Sequence, residues 1–135
     1  MPQHSDALSV SLPVKWPLIT NTIVGVLEGA SREWLCGYEY ISTPDGVPEK
    51  SPEGPRYARE EFWSGGGIMS FSYDDPDNPG QVVAKKLDAD AIAKGISIMV
   101  EKVFEDFADL YAENDDANTH DAFMQCALLG DIVYG

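Results

Sequence analysis

Residues 88–110 read Asp-Ala-Asp-Ala-Ile-Ala-Lys-Gly-Ile-Ser-Ile-Met-Val-Glu-Lys-Val-Phe-Glu-Asp-Phe-Ala-Asp-Leu, and this stretch decides the fold. Its apolar residues recur at intervals of three and four, which is the period of one helical face. They are Ile92, Ile96, Met99, Val103, Phe107 and Leu110. The stretch predicts one long amphipathic helix, which Asp88 caps and the polar residues 114–117 end.

Several strands are predicted around this helix. Residues 68–73 and 81–87 look like two strands, and the turn-rich segment between them is typical of a wide hairpin. The aromatic-rich residues 34–41 predict another strand, and the alternation in residues 8–14 predicts a half-buried edge strand. Residues 132–134 predict a short final strand.

Two further helices complete the predicted fold. The first covers residues 17–28 and ends at Gly29, which suits the left-handed position after a helix. The second follows Asn118 and Asp121, a pair spaced like a capping box, and ends at Gly130. The order of elements predicts an α+β fold, with a mainly antiparallel sheet of about four or five strands and three helices packed on one face.

The length predicts a single domain over residues 1–135, because a second core would leave both too small. Residues 43–55 hold four prolines and two glycines, which predicts a long exposed loop. Residues 64–67, Ser-Gly-Gly-Gly, predict a flexible joint.

The sequence contains no run of about 18 apolar residues, so it predicts no membrane-spanning helix. Residues 1–6 contain no basic segment leading into an apolar one, so we expect no signal peptide and a location in the cytoplasm of the host cell. Cys36 and Cys126 are far apart in the sequence, and we expect both to be reduced thiols.

The charge is strongly acidic: 9 lysines and arginines stand against 23 aspartates and glutamates, a net charge of −14. Such a surface repels a phosphate backbone, which argues against direct nucleic-acid binding. It either confers solubility or imitates nucleic acid towards a basic partner. The second alternative assigns a protein-binding acidic face to the long helix, formed by Glu101, Glu105, Asp106 and Asp109.

Catalytic and metal-binding signatures are weak. Ser64 and Cys126 are candidate nucleophiles, but His120 is the one histidine outside the N-terminal segment that could serve as a base. Asp115, Asp116, His120 and Asp121 cluster in the sequence, but capping and solvation account for them without a metal. We therefore expect a binding protein, with no enzymatic activity, metal or cofactor.

A local aromatic and basic pocket is the main binding hypothesis. Tryptophans and tyrosines near glycine-rich turns can stack on a base, and arginines can hold a phosphate through two hydrogen bonds. Trp34, Tyr38 and Trp63 are the stacking candidates, while Arg32 and Arg59 are the phosphate-binding candidates.

Two segments resemble a family of small bacteriophage and prophage proteins. The first segment, residues 19–34, reads as an apolar helix that ends in Glu-Gly-Ala-Ser, with Trp34 after two further residues. The family pattern has Glu-Gly-Gly-Ser at the helix end. Residues 116–135 place an Asp before an apolar helix with an internal Gln and close on Gly-x-Ile-Val-Tyr-Gly. The resemblance covers both ends and the long helix, and it implies a phage origin rather than a reaction. Ala30 stands where the pattern has its second glycine, which argues against a glycine-only backbone role at that position.

The two motifs place polar groups within apolar surroundings. Glu28, Ser31, Asp121 and Gln125 either tie the helix ends together or line a pocket with Trp34 and Tyr134. One arrangement places this pocket between the subunits of a homo-oligomer.

Three functions follow from these alternatives. The leading hypothesis is a phage counter-defence protein that sequesters a small nucleotide-like signalling molecule. The alternative is an acidic inhibitor, a DNA mimic or anti-CRISPR-like protein, that binds a host nuclease or defence complex. The third is a structural or assembly protein of the virion.

Overall fold

The computed structural model describes residues 7–8, 11–49 and 51–135. Helices and strands alternate irregularly along these residues. In chain order they are helix α1 (Trp16–Gly25), a π-helical turn (Val26–Ala30), strand β1 (Leu35–Ser42), a 3₁₀ turn (Arg56–Ala58), helix α2 (Glu60–Ser64), strands β2 (Ile68–Asp74) and β3 (Val82–Leu87), and helices α3 (Ala89–Lys102), α4 (Phe104–Tyr111) and α5 (Ala117–Leu129).

The strands form one antiparallel sheet in the order β1-β2-β3. The α+β class and the antiparallel sheet are therefore confirmed, but the described residues contain three strands and five α-helices rather than four or five strands and three helices. The predicted strand at residues 8–14 is not formed over residues 11–14, while residues 9 and 10 lie outside the described residues. Residues 132–134 form no strand either.

Strand β2 shows why one face of the sheet is buried. Its side chains alternate, with Met69, Phe71 and Tyr73 inside the core and Ser70 and Ser72 on the opposite face. A strand with period two turns alternate residues to opposite sides, so this pattern assigns the core to one side of the sheet. The helices cover that side: α3 and α5 both contact β3, and α5 is buried along most of its length.

The predicted long helix is broken at Val103, which corrects the sequence interpretation. Val103 has φ −139° and ψ 61°, outside the helical region, and it separates α3 from α4. Its N–H still donates to Met99 O, and its own carbonyl accepts from Phe107 N. The apolar period therefore continues through the break, which explains why the spacing alone does not reveal it.

Helix α5 packs closely on α3. A Cβ atom built on Gly95 would lie 2.7 Å from both Cα and Cβ of Ala127, so a glycine is needed where these helices touch. The N-cap of α5 is Asp116, whose side chain accepts from Thr119 N at 3.1 Å, and not Asn118 as predicted. Gly130 ends the helix with φ 77°, which confirms its predicted left-handed role.

The proline-rich loop and the glycine run are more ordered than the sequence predicts. Val47 in the loop is buried, at 6% exposure, so residues 43–55 are not exposed throughout. The glycine run follows the short helix α2, which the sequence analysis missed. Gly67 donates its N–H to Phe62 O at 2.7 Å and is buried against the Phe62 ring, so it is a packed turn.

Candidate functional site

A carboxylate shared by three donors joins the two ends of the chain. Asp121 Oδ1 accepts from Ser31 Oγ at 2.6 Å and from Trp34 Nε1 at 2.7 Å. Asp121 Oδ2 accepts from Gln125 Nε2 at 2.8 Å. Ser31 and Trp34 follow the π-helical turn, whereas Asp121 and Gln125 lie one turn apart on α5. The two segments that carry the family resemblance thus meet at one side chain.

Gln125 also holds the residues after α5. Its Oε1 accepts from Val133 N and Tyr134 N, each at 2.8 Å, and its Nε2 donates to Tyr134 O at 3.1 Å. The Tyr134 ring stacks on Trp34 with centroids 5.7 Å apart and planes 16° apart. This explains the missing final strand: a side-chain amide satisfies the backbone groups that a neighbouring strand would have paired.

The Asp121 cluster, which we define as Ser31, Trp34, Asp121, Gln125 and Tyr134, contains half of the predicted ligand-binding residues. Ser31, Trp34 and Gln125 all donate to Asp121, and Trp34 is only 7% exposed. The geometry therefore favours the structural alternative, in which these residues tie the helix ends together.

A cleft of about 590 Å³ opens beside this cluster. It lies between the π-helical turn and the start of α5. Its lining residues are Gly25, Glu28, Gly29, Ala30, Arg32, Glu33, Ala117, Asn118 and His120. Gly29 has φ 130°, a value that glycine adopts without strain, and it turns the chain at the cleft rim.

A second cleft of about 230 Å³ lies on the other side of the same turn, and Arg32 and Gly29 line both clefts. The second cleft also contains Tyr38, which is 47% exposed. Arg32 is exposed and forms no ion pair among the described residues. Three predicted ligand-binding residues, Glu28, Arg32 and Tyr38, therefore lie around one turn and are accessible.

The other two predicted ligand residues are occupied elsewhere. Trp63 is 1% exposed, and its indole N–H donates to Tyr57 O at 2.9 Å. It cannot stack on a ligand in this conformation because protein covers its ring, which corrects that prediction. Arg59 pairs with Glu53 and Glu61, and its side chain is 11% exposed. Neither residue lines the clefts at Arg32.

Groups suited to catalysis or metal binding are sparse in the part of the chain that the structure describes. Within residues 7–8, 11–49 and 51–135, no three His, Cys, Asp or Glu side chains are grouped closely enough to hold a metal ion. His120 Nε2 contacts Asp115 Oδ2, so this histidine is held by a carboxylate. Burial raises the pKa of the Cys126 thiol to about 11, which keeps it protonated and unreactive at neutral pH.

Only some residues of the predicted acidic face are exposed. Glu101, Glu105 and Asp109 are exposed, but Asp106 is half-buried. Burial raises the pKa of Asp106, and the negative charges of Asp109, Asp116 and Glu105 raise it further. Asp106 therefore does not belong to the exposed acidic face, because it lies one helical turn before the buried Leu110, at the edge of the inward side of α4.

Exposed aromatic side chains lie among these carboxylates, and the sequence analysis missed them. Phe104 is 60% exposed and Tyr111 is 39% exposed. Both rings touch Phe107, at centroid distances of 6.0 and 5.8 Å, so the three rings form a continuous row. Phe104 falls outside the apolar period of the sequence, which is the signal that could have revealed it. We define the α3–α4 surface as Val100, Glu101, Phe104, Glu105, Asp109 and Tyr111.

Lys102 is the one basic residue in the last turn of α3 and in α4, and its charge is paired with that of Asp131. Its Nζ lies 3.1 Å from Asp131 Oδ2, on the segment that follows α5. The hydrogen bond and the positive charge of Lys102 lower the pKa of Asp131, as does the Ile132 N–H. The α3–α4 surface thus keeps an acidic character although a lysine lies within its sequence.

Comparison with family models, with curated proteins and with solved structures finds no match to this chain. Within the described residues, no helix has both the length and the apolar character that crossing a membrane requires.

Proposed function

We propose that this protein binds a basic protein partner through the α3–α4 surface. The observation that carries the proposal is the 60% exposed Phe104, which in the sequence follows the exposed Glu101 by three residues and directly precedes the exposed Glu105. An exposed aromatic side chain with acidic neighbours is the arrangement expected of an interface anchor with a polar rim.

Charge selects the kind of partner. The chain carries 23 acidic and 9 basic residues, so its field attracts positive surfaces and repels nucleic acid and copies of itself. Carboxylates spaced along a helix can replace the phosphates that a basic groove normally binds. A nucleic-acid-binding protein is therefore the partner class that fits best. This also makes a homo-oligomer through the α3–α4 surface unfavourable.

The aromatic row supplies affinity that charge alone does not. Exposed ion pairs contribute about 0–1 kcal/mol each and weaken with salt. Burying Phe104 and part of Tyr111 at an interface adds a stabilisation that salt does not screen. Together with the resemblance to small phage proteins, these features favour an inhibitor of a host nuclease or defence complex that acts in the host cytoplasm.

A second candidate function is the capture of a small nucleotide-like ligand at the two clefts beside the π-helical turn. It is supported by Arg32, which is exposed, forms no ion pair among the described residues and lines both clefts, with the exposed Tyr38 in one of them. Glu28 and Glu33 oppose it, because their carboxylates line the larger cleft and repel a phosphate. Trp34 and Trp63 supply no stacking surface, since both are buried.

Affinity capture from a lysate of the bacterial host tests the main proposal. The bait is the whole chain as wild type, as Phe104→Ala, and as the double variant Glu105→Gln/Asp109→Asn. A matched control, Glu39→Gln/Asp45→Asn, removes the same charge at exposed positions outside the α3–α4 surface. Proteins retained by wild type and control but lost with both surface variants are then purified, and their binding is measured from low to high salt.

The proposal expects such a protein to bind more weakly as salt rises, because exposed charges are screened. It also expects a residual affinity at high salt that disappears with Phe104→Ala. Equal retention by all four baits would contradict it. A nucleotide that co-purifies with wild type and is lost with Arg32→Ala would instead support the second candidate.

A further inference from the structure

A groove lies at the end of the aromatic row. It has a volume of about 260 Å³. Its lining residues are Pro13, Lys15, Pro17, Leu18, Tyr111 and Glu113. The groove therefore combines two proline rings, an aliphatic side chain and an aromatic ring with one acidic and one basic residue. Because Tyr111 belongs to both, the groove continues the α3–α4 surface.

Glu113 reaches the groove from a backbone position that normally holds glycine. Asn114 N donates to Asp109 O at 2.8 Å and Glu113 N donates to Leu110 O at 3.2 Å, the hydrogen-bond pair that closes a helix before a left-handed residue. Glu113 is that residue, with φ 59°, and no other non-glycine residue in the described part of the chain has a positive φ. A strained residue at a surface site points to a role that compensates for the strain.

The carboxylate of Glu113 is available for a ligand. Neither Glu113 nor Lys15 forms an ion pair among the described residues, although both line the groove. The groove also lies at the carboxyl end of α4, where the helix dipole favours positive charge. The positive charge of Lys15, which also lines the groove, disfavours a bound cation, so removing this charge should strengthen cation binding.

We propose that the groove accepts an arginine side chain of the basic partner. The guanidinium plane stacks on the Tyr111 ring and donates to the Glu113 carboxylate, while the methylene stem contacts Pro17 and Leu18. Arginine fits better than lysine, because a planar guanidinium stacks and hydrogen-bonds at once. This inference rests on the proposed function, since it specifies one contact of the same interface.

A titration of the whole ¹⁵N-labelled protein tests the groove without a known partner. The probe is N-acetylarginine amide, and the matched control probe is N-acetylcitrulline amide, which has nearly the same shape and no charge. The arginine probe is expected to produce saturable shifts at Leu18, Tyr111 and Glu113, and the citrulline probe much smaller ones. Glu113→Gln should weaken the arginine probe by about two- to five-fold, the range of an exposed ion pair, and Lys15→Gln should tighten it.

Glu39→Gln is the control variant, because it removes an exposed carboxylate outside both the groove and the α3–α4 surface and should leave probe binding unchanged. Equal shifts with both probes, or no weakening in Glu113→Gln, would overturn the assignment. If all four baits retain the same proteins while the arginine probe still binds the groove, the proposed function alone is contradicted. A partner complex that is unaffected by both Tyr111→Ala and Glu113→Gln would overturn the role of the groove in that interface.

Discussion

The indole nitrogen of Trp34 lies 2.7 Å from Oδ1 of Asp121, a residue 87 positions further along the chain. The same oxygen accepts from Ser31, so one carboxylate fixes the turn after α1 against α5. Hydrogen bonds to a charged acceptor are among the stronger ones, and this carboxylate is partly shielded from water. The relationship makes Asp121 the first residue to test for stability.

Asp121→Asn is expected to reduce the free energy of unfolding by about 1–3 kcal/mol, because an amide replaces an acceptor that serves three donors. Urea unfolding followed by circular dichroism measures the change. Glu39→Gln is the control, since it removes a carboxylate from an exposed position and should stay within about 0.5 kcal/mol of wild type. If both variants unfold at the same urea concentration, the Asp121 cluster does not stabilise the fold.

Gln125→Met should release the residues after α5 while retaining the volume of the buried side chain. Gln125 makes two hydrogen bonds to backbone N–H groups and one to a backbone carbonyl in Val133 and Tyr134. Hydrogen exchange at the amides of Val133 and Tyr134 should become faster by a larger factor than at residues within α3. Unchanged protection of these two amides would show that the Tyr134–Trp34 stacking alone holds the segment.

Gly95→Ala should destabilise the protein although alanine is the better helix former. The intrinsic gain is about 1 kcal/mol, but the new Cβ would lie 2.7 Å from Ala127 Cα, a backbone atom that cannot move alone. Overpacking of this kind costs about 1–3 kcal/mol, so the net change should be unfavourable. Thermal unfolding measures it, with Ser97→Ala as the exposed control on the same helix, for which a slight stabilisation is expected.

Glu113→Gly, in contrast to Gly95→Ala, should increase the stability of the protein. Glycine removes the left-handed strain at φ 59° and is expected to stabilise the protein by about 1 kcal/mol. The same change should weaken arginine-probe binding at the groove. Ala112→Gly, at a neighbouring position with negative φ, is the control and should destabilise slightly. A destabilised Glu113→Gly variant would show that its side chain supports the fold instead.

Asp106→Asn should stabilise the protein at neutral pH, and the gain should shrink as the pH falls. The folded state raises the pKa of Asp106 through burial and through Asp109, Asp116 and Glu105. A carboxyl whose pKa is higher in the folded state destabilises the fold when ionised, and protonation removes that penalty. Unfolding is compared at pH 7 and at pH values approaching 4. A gain that is constant across this range would contradict the assignment.

Much of the fold is predictable because its signals are local. The strand at residues 34–41 and the hairpin are found within about one residue of the predicted positions, since alternation and turn residues determine both. The helix cap at Asp88 and the helix end at Gly130 are also confirmed, because each depends on one side chain or one φ angle. These features need no knowledge of distant contacts.

The remaining features depend on tertiary contacts. Helix α2 has five residues, too few for a periodic signal. Ile132 and Val133 have strand propensity, but the Gln125 side chain satisfies the backbone around them. Of the four polar residues in the two motifs, the structure brings Ser31, Asp121 and Gln125 together in the Asp121 cluster with Trp34 and Tyr134, whereas Glu28 lines the neighbouring cleft. The burial of this cluster removes most of the surface that the ligand hypothesis needs.

The Asp121 cluster also has a consequence during synthesis. Ser31 precedes Asp121 by 90 positions and Trp34 precedes it by 87. Both residues therefore leave the ribosome well before their hydrogen-bond acceptor is made. Until then, the indole N–H and its hydroxyl neighbour lack their acceptor, and Trp34 lacks the Tyr134 ring that covers it. Contacts of such long range form late and slow the folding rate. During synthesis, Trp34 therefore lacks both its hydrogen-bond acceptor and its stacking partner until residues 121 and 134 have been made.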